Sequence, residues 1–504
     1  MDSYLVPDLL RKPRTAGRVN PGRIAITFEG RDVAYEELDE RSDRLAAGLA
    51  AQGFAKGDRI AVLLYNRVEW AEVFFAVAKL GGVVVPINYL LKAPEVRYIL
   101  DDCDASWVVY ENAFADTVDN LRAGDSRRYL DVDSSLYEEL CACADAVPDH
   151  GVRAEDLFLL QYTSGTTGVP KGAMHTHSTV LWNSFHQIVD YGVTADDVFV
   201  VVPALCWAAG FHDLALATLW RGGRVILSPS TGFDAARFLS TVEVYGVTSV
   251  LLVPTVLKRV LADPGLAGYD LSSLRIICSG GEPVPVATIE DAQRKLPSCA
   301  LIQVYGMSEF PTMMLYLDAE HARPGSAGRA CSAAQVRVVD GAGRDVAPGE
   351  IGEIICRSPA TMIGYYGKPD ATASTLAGGW LRTGDLAYPD EDGFVYVAGR
   401  SKDMIISGGL NVYPAEVEQV IAGHPAVLEA AVIGEPDPDW GEIGSALVVV
   451  PPGSDLGVAE LAGYLKQHLA NYKVPRKYTL AHEPLPRTTS GKVQKFRVKE
   501  RLGA

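Results

Sequence analysis

The order of apolar runs in this sequence predicts an α/β fold with two doubly wound units, and three observations carry that expectation. From about residue 35 helical and strand patterns alternate. Residues 35–52 hold Leu38, Leu45 and Leu49 near helical spacing and stop at Gly53; 59–65 read as a strand, 70–80 as a helix and 83–87 as a strand. This is βαβ rhythm, which implies a parallel sheet. The rhythm resumes with strands at 199–202, 225–227, 249–253, 276–277 and 301–305, with helices such as 233–245 between them. From 325 to 399 the texture changes to short strands with turn signals, Asp340-Gly341 and Asp392-Gly393 among them, as in a small β-rich subdomain. A compact α+β tail follows Gly399-Arg400.

The 504 residues can bury large cores in at least two domains. A net charge of −17 argues against a nucleic-acid or anionic-membrane partner, yet leaves room for a local cationic cleft. The eight cysteines are scattered rather than framework-spaced, and Met1-Asp2-Ser3-Tyr4 has no charged n-region before an apolar core. Reduced thiols and a cytoplasmic location are expected. No apolar run reaches the length of a membrane span, since Val83-Val84-Val85 stops at Pro86, so membrane insertion is not expected.

The most informative stretch is Tyr162-Thr163-Ser164-Gly165-Thr166-Thr167-Gly168-Val169-Pro170-Lys171-Gly172. It leaves a buried strand read at 158–161, where α/β proteins place ligands. Glycines let the backbone approach and its N–H groups form an anion nest; Thr163, Ser164, Thr166 and Thr167 offer hydroxyls, and Lys171 a point charge. A polyphosphate is the ligand such chemistry suits. It is not a Walker A loop: two residues, not four, separate Gly165 from Gly168, and Gly172 rather than Ser or Thr follows Lys171.

This run resembles the phosphate-binding signature of the adenylate-forming superfamily, which comprises acyl- and aryl-CoA synthetases, peptide-synthetase adenylation domains and beetle luciferases. The resemblance extends over nearly the whole chain. It implies two doubly wound subdomains and a small β-barrel within residues 1–399, a hinge at 400–403, and a mobile α+β domain at 404–504. Gln303-Val304-Tyr305-Gly306-Met307-Ser308-Glu309 resembles the superfamily's Tyr-Gly-Met-Thr-Glu motif, with Ser308 for threonine. A carboxylate such as Glu309 can hold Mg²⁺, and Tyr305 can stack on adenine. Gly280, Gly281, Glu282 and Pro283 look like the adenine-side loop. Asp385, in Thr383-Gly384-Asp385, would bind both ribose hydroxyls, joined there by Arg400.

Two half-reactions need two sets of tools. Lys492, in Pro486-Arg487-Thr488-Thr489-Ser490-Gly491-Lys492, resembles the catalytic lysine of the C-terminal motif, and an ammonium suits the charge that builds when a carboxylate attacks phosphorus. The bland alternative is a solvated lysine in a basic tail. Lys402 sits at the matching pivot, and Ser407-Gly408-Gly409 resembles the loop that guides coenzyme A, with Lys473 beside it in this reading. Trp440 either stacks on CoA or packs. His175-Thr176-His177 lacks a third metal ligand at suitable spacing and is not read as a zinc site.

The resemblance departs at Pro203-Ala204-Leu205-Cys206, where relatives commonly read Pro-x-Phe-His. Cys206, Trp207, Gly210 and His212 are expected around the acyl group, with Ala204, Ala208, Ala209 and Gly210 leaving room for a bulky apolar acid bounded by Trp207. The function implied is an acid–thiol ligase using ATP, Mg²⁺ and CoA on a medium or long acyl, or an aryl, carboxylic acid. A ligase that loads a carrier protein is its rival, a catalytically silent nucleotide-binding protein a more distant one. A homodimer is compatible with either.

Overall fold

In a computed structural model the described residues are 4–15, 22–122, 124–163, 169–282, 284–315, 323–487 and 493–503. Ser164, Gly165, Thr166, Thr167, Gly168, Pro283 and Lys492 lie outside them.

The chain builds an α/β architecture from four sheets. The first has the spatial order 364–365, 171–176, 157–163, 83–86, 59–63, 107–110, 128–131. Its last five strands run parallel, and the hairpin of Leu157–Thr163 and Lys171–Thr176 closes it antiparallel. Near-continuous apolar runs such as Val83–Pro86, buried at every position, are what a sheet covered on both faces requires. The second sheet, of nine strands, is parallel from Ile24–Phe28 through 224–227, 198–201, 249–251 and 276–280 to Ala300–Met307, with antiparallel strands at both edges. Its edge hairpin at 24–34 precedes the alternating pattern and escapes a local reading, because Ile26 pairs with Val225, about two hundred positions away.

The β-rich stretch forms an antiparallel five-stranded sheet from 335–339, 352–357, 376–377, Trp380–Pro389 and Val395–Arg400. One 3-10 turn, Ser401–Asp403, then leads to the fourth sheet, formed by 405–407, 410–412, 429–437, 441–449 and 477–481 and flanked by the helices Pro414–Ala422, Val458–His468 and Lys495–Leu502. That sheet has its own apolar core around Val417, Ile421, Val432, Ala446 and Leu461. No helix among the described residues is long and apolar enough to cross a membrane, and all eight cysteines are free.

Candidate active site

The hydroxyl-rich run begins and ends on the two strands of a hairpin. Thr163 pairs with Lys171 and Gln161 with Ala173, so the strand register sets Thr163 and Lys171 opposite each other at the loop's base. The short strand Gly364–Tyr365 adds to this hairpin, pairing Tyr365 with Ala173, and the Tyr366 N–H donates to the Gly172 carbonyl at 2.9 Å.

Tyr365 is the link that sequence reasoning missed. Its hydroxyl donates to Glu309 Oε1 at 2.6 Å, while Lys171 Nζ lies 5.4 Å from the centre of its ring. Burial, reinforced by the adjacent carboxylate, raises the Tyr365 phenol above its usual range and keeps it a donor. Glu309 is 5% exposed, and its other oxygen accepts no hydrogen bond from the described residues. Only two tyrosines between glycines, Gly364-Tyr365-Tyr366-Gly367, could have signalled the strand.

The turn that carries Glu309 is fixed from below. His175 Nε2 lies 2.8 Å from the Ser308 carbonyl and, as a donor, fixes the ring's tautomer. Above it, Gly306 has no alternative residue: a Cβ there would meet the Pro311 carbonyl oxygen at 1.8 Å. His177 points elsewhere, accepting from the Val6 N–H at 3.4 Å and stacking on Phe158, so the two histidines do not face one ligand. Burial pulls both imidazoles down to about 4. Between that value and the ordinary 6.5 the unfolded chain binds more protons than the folded one, so stability is full above about pH 6.5 and falls with acid. A loss of on the order of 1–2 kcal/mol per histidine by pH 5 is expected in urea titrations, reduced in His177→Phe.

Four residues before the glutamate, Tyr305 donates its hydroxyl to Asp385 at 2.6 Å, and Asp385 pairs with Arg400 at 3.3 Å, the two strands matching Asp385 with Arg400 in register. The phenol therefore orients an acidic acceptor suited to a diol while its ring remains an aromatic surface. Next to it, Gly280 pairs with Val304 so closely that a Cβ would meet the Val304 carbonyl at 2.2 Å; Gly281 turns with φ 86°. Glu282 binds Arg487 at 3.0 Å, which ties the turn after Ile276–Gly280 to the chain that follows Lys477–Ala481.

The expected acyl-pocket residues occupy one irregular turn. Ala208–His212 is a π-turn, a distortion common at functional sites, and it carries Trp207 and His212 at its ends. Gly210 does not provide space there: a Cβ would lie 2.1 Å from the Ala204 carbonyl, so its smallness lets two backbones pack. Cys206 is buried with its thiol pushed up to about 12 by desolvation, and its carbonyl accepts from Gln161 Nε2 at 3.0 Å. Trp207 Nε1 and both ring nitrogens of His212 are buried without a partner among the described residues. Burial, with His175 and His186 nearby, keeps His212 neutral, its imidazole held well below 6.5.

Beneath that turn lies a polar network absent from the sequence-based expectations. Asp213 accepts from Gln187 Nε2 at 2.6 Å and Thr312 Oγ1 at 3.0 Å, and Asn183 Nδ2 donates to the His212 carbonyl at 3.1 Å. Leu214 sits at φ 56°, a strained backbone for a branched residue, and its N–H is held by Gln187 Oε1 at 2.8 Å. A local pattern search cannot pair residues 183, 187, 213 and 312.

In the C-terminal sheet, Gly408 and Gly409 both have positive φ, 58° and 81°, and form the two-residue turn between Ile405–Ser407 and Leu410–Val412. Trp440 is bounded by Gly408, where a Cβ would come within 2.7 Å of it, and by the Arg476 guanidinium 4.0 Å over its ring. It touches the glycine turn and stays 40% exposed. Lys473 pairs with Glu416 at 2.6 Å, and Lys402 is exposed in the connecting 3-10 turn.

Adenylate-forming ligases are the class that this fold and these contacts define. The chain belongs to the AMP-binding enzyme family, which matches residues 13–366, followed by the AMP-binding enzyme C-terminal domain at 416–492. It is similar to a feruloyl-CoA synthase of an Amycolatopsis species, 42% identical over 97% of this chain and 98% of that one. It also resembles ScoC of Streptomyces coeruleorubidus, a fatty acid–[acyl-carrier-protein] ligase, 36% identical over 96% and 94%. The structure of the anthranilate CoA ligase AuaEII with anthranoyl-AMP superposes with a TM-score of 0.90, at 28% identity and covering 99% of this chain and 97% of that one. Within the family this chain is an ATP-dependent, AMP-forming carboxylate–CoA ligase of the acyl- and aryl-CoA synthetase type.

Proposed function

We propose that this ligase activates an aryl carboxylic acid bearing a polar ring substituent and transfers it to coenzyme A. The observation that carries the choice of acid is the π-turn at Ala208–His212, which offers Trp207 Nε1–H and a neutral His212 as unpaired buried groups beside an indole wall. The feruloyl and anthranoyl names of two relatives support it.

In the first step a carboxylate oxygen attacks the α-phosphorus of ATP, the bond to the β-phosphate oxygen breaks, and pyrophosphate leaves. Thr163 and Lys171 hold the departing phosphates, together with Ser164, Gly165, Thr166, Thr167 and Gly168. Asp385, oriented by Tyr305 and Arg400, holds the ribose, and Lys492 counters the charge built at phosphorus. Glu309 fits Mg²⁺: it is a buried hard-oxygen donor whose one oxygen is taken by Tyr365, and such an ion completes its shell with waters and phosphate oxygens. The ion would supply charge neutralisation of the triphosphate. In the second step the CoA sulfur attacks the acyl carbon, its proton passes to solvent, and AMP leaves with the mixed-anhydride oxygen.

Arg487 on Glu282 supports an arrangement in which the Lys492 segment faces the nucleotide. Rotation at Lys402 within Ser401–Asp403 would exchange it for the Gly408–Gly409 turn, with Ser407 and Lys473 beside the pantetheine arm. A cytoplasmic setting accords with eight free cysteines.

Pyrophosphate release across aryl and linear acids tests the acid; preference for linear saturated acids would overturn the aryl choice. Trp207→Ala is expected to cut kcat/KM for the best aryl acid by at least about tenfold and to reorder the panel. An unchanged ranking removes Trp207 from the pocket. The similarity to ScoC favours a second reading, a carrier-protein acceptor, and mass spectrometry of the product decides: acyl-CoA supports CoA, while an acylated carrier without acyl-CoA supports the rival.

A further inference from the structure

Behind the acyl-side turn, His186 and Asp190 of the His177–Asp190 helix meet Cys331 in the loop after Arg329–Ala330, their ligand atoms all within 4.8 Å of one another. Among the described residues this is the only grouping of three His, Cys or acidic side chains close enough to share an ion. His186 is fully buried and Cys331 is 3% exposed.

The hydrogen bonds around His186 determine which of its nitrogens can bind a cation. Asn183 points its amide nitrogen at two acceptors, the His212 carbonyl at 3.1 Å and Asp213 Oδ1 at 3.3 Å, so its amide oxygen must face His186. That oxygen lies 3.3 Å from His186 Nε2, which therefore carries a hydrogen. In the neutral imidazole the lone pair is then on Nδ1, and Nδ1 faces Asp190 Oδ2 at 3.1 Å. Two electron-rich atoms face each other at hydrogen-bond distance with a thiol beside them. The contact is reconciled by a hydrogen shared between them or by a metal ion.

We propose that His186 Nδ1, Asp190 and Cys331 bind one zinc ion. One imidazole, one thiolate and one carboxylate are a donor set that selects zinc over magnesium or calcium, and the fourth position is left to water. Bonds of about 2.0–2.3 Å give tetrahedral edges of roughly 3.3–3.8 Å, so the His–Asp edge is already short enough and the thiol, within 4.8 Å of both, needs to approach by at most roughly 1.5 Å. The outer contacts are those of a built site. Asn183 orients the imidazole, and the Ser332 N–H donates to Asp190 at 3.2 Å. On binding, the S–H bond of Cys331 is replaced by an S–Zn bond and the proton goes to solvent, with no change of oxidation state. The ion would join the helix to the loop after Arg329–Ala330 and, through Asn183, stiffen the turn that bears His212.

The test uses the full, tag-free chain equilibrated with zinc, desalted, and assayed for metal by mass spectrometry. About one equivalent should remain in the native protein and in Cys143→Ser, and none in Cys331→Ser or Asp190→Asn. Cobalt in place of zinc should give a near-ultraviolet thiolate charge-transfer band that Cys331→Ser abolishes. Zinc should also raise the melting temperature of the native chain by a few degrees and leave both variants unchanged. Should Cys331→Ser not fold, Asp190→Asn and His186→Gln carry the same comparison. The assignment is overturned if the native chain retains no zinc, which leaves a hydrogen-bonded His186–Asp190 pair, or if Cys331→Ser retains it equally.

Discussion

Replacement of Lys492 by alanine is expected to lower acid-dependent pyrophosphate release by at least about 10²–10³-fold, while thiolation of a supplied acyl-adenylate stays close to the native rate. The size follows from the chemistry. A carboxylate and a triphosphate repel, and the transition state concentrates their charge at one phosphorus, where no hydroxyl in the hairpin tip can substitute for a full positive charge. The selectivity follows from sharing one site in time, because the second step does not need the lysine. Arg487, five residues upstream, pairs with Glu282 at 3.0 Å. Arg487→Ala should therefore slow the first step alone, and more mildly. Equal loss of both steps in Lys492→Ala would refute alternation about Lys402.

Glu309→Gln is the second large effect. Glutamine keeps the volume and an oxygen that still accepts from Tyr365, so the 5%-exposed pocket stays filled and hydrogen-bonded. What disappears is the negative charge. Pyrophosphate release is expected to drop by about 10²–10³-fold and to need more magnesium for half-maximal rate. Tyr365→Phe, which keeps the charge but frees the carboxylate to rotate, should cost far less. A change within about threefold in Glu309→Gln would remove the metal role from this residue.

The parts of this enzyme that a linear reading reaches are those whose signal is local. Alternating helix and strand patterns gave the parallel sheets, and the hydroxyl run, Tyr305 to Glu309 and Asp385 could be found as words. Two contacts connect the described parts of those words: Tyr305 on Asp385 at 2.6 Å, and Glu309 on Tyr365 at 2.6 Å, in the short strand that pairs with Lys171–Thr176. Tyr365 itself was invisible because its two-residue strand is too short for periodicity and pairs about 190 positions back. The edge hairpin at 24–34 was missed for a similar reason, as its value lies in a distant partner. Gly210 shows the converse limit: composition says small, and only packing says whether smallness makes a cavity or fills one.

The hairpin of Leu157–Thr163 and Lys171–Thr176, in its proposed phosphate-binding role, has a consequence for product release. Strand Lys171–Thr176 returns antiparallel to Leu157–Thr163, and the next helix, His177–Asp190, begins only beyond that strand. A nucleotide kinase that seats phosphate on a helix terminus gains a fixed macrodipole whether or not the bond has been broken. In the proposed role the attraction here would draw on Thr163 and Lys171 at the base of the hairpin, without such a fixed dipole. An enzyme that must discard pyrophosphate before a thiol can enter is served by a cradle of moderate strength, and grafting a helix behind that loop would trade tighter ATP binding for slower turnover.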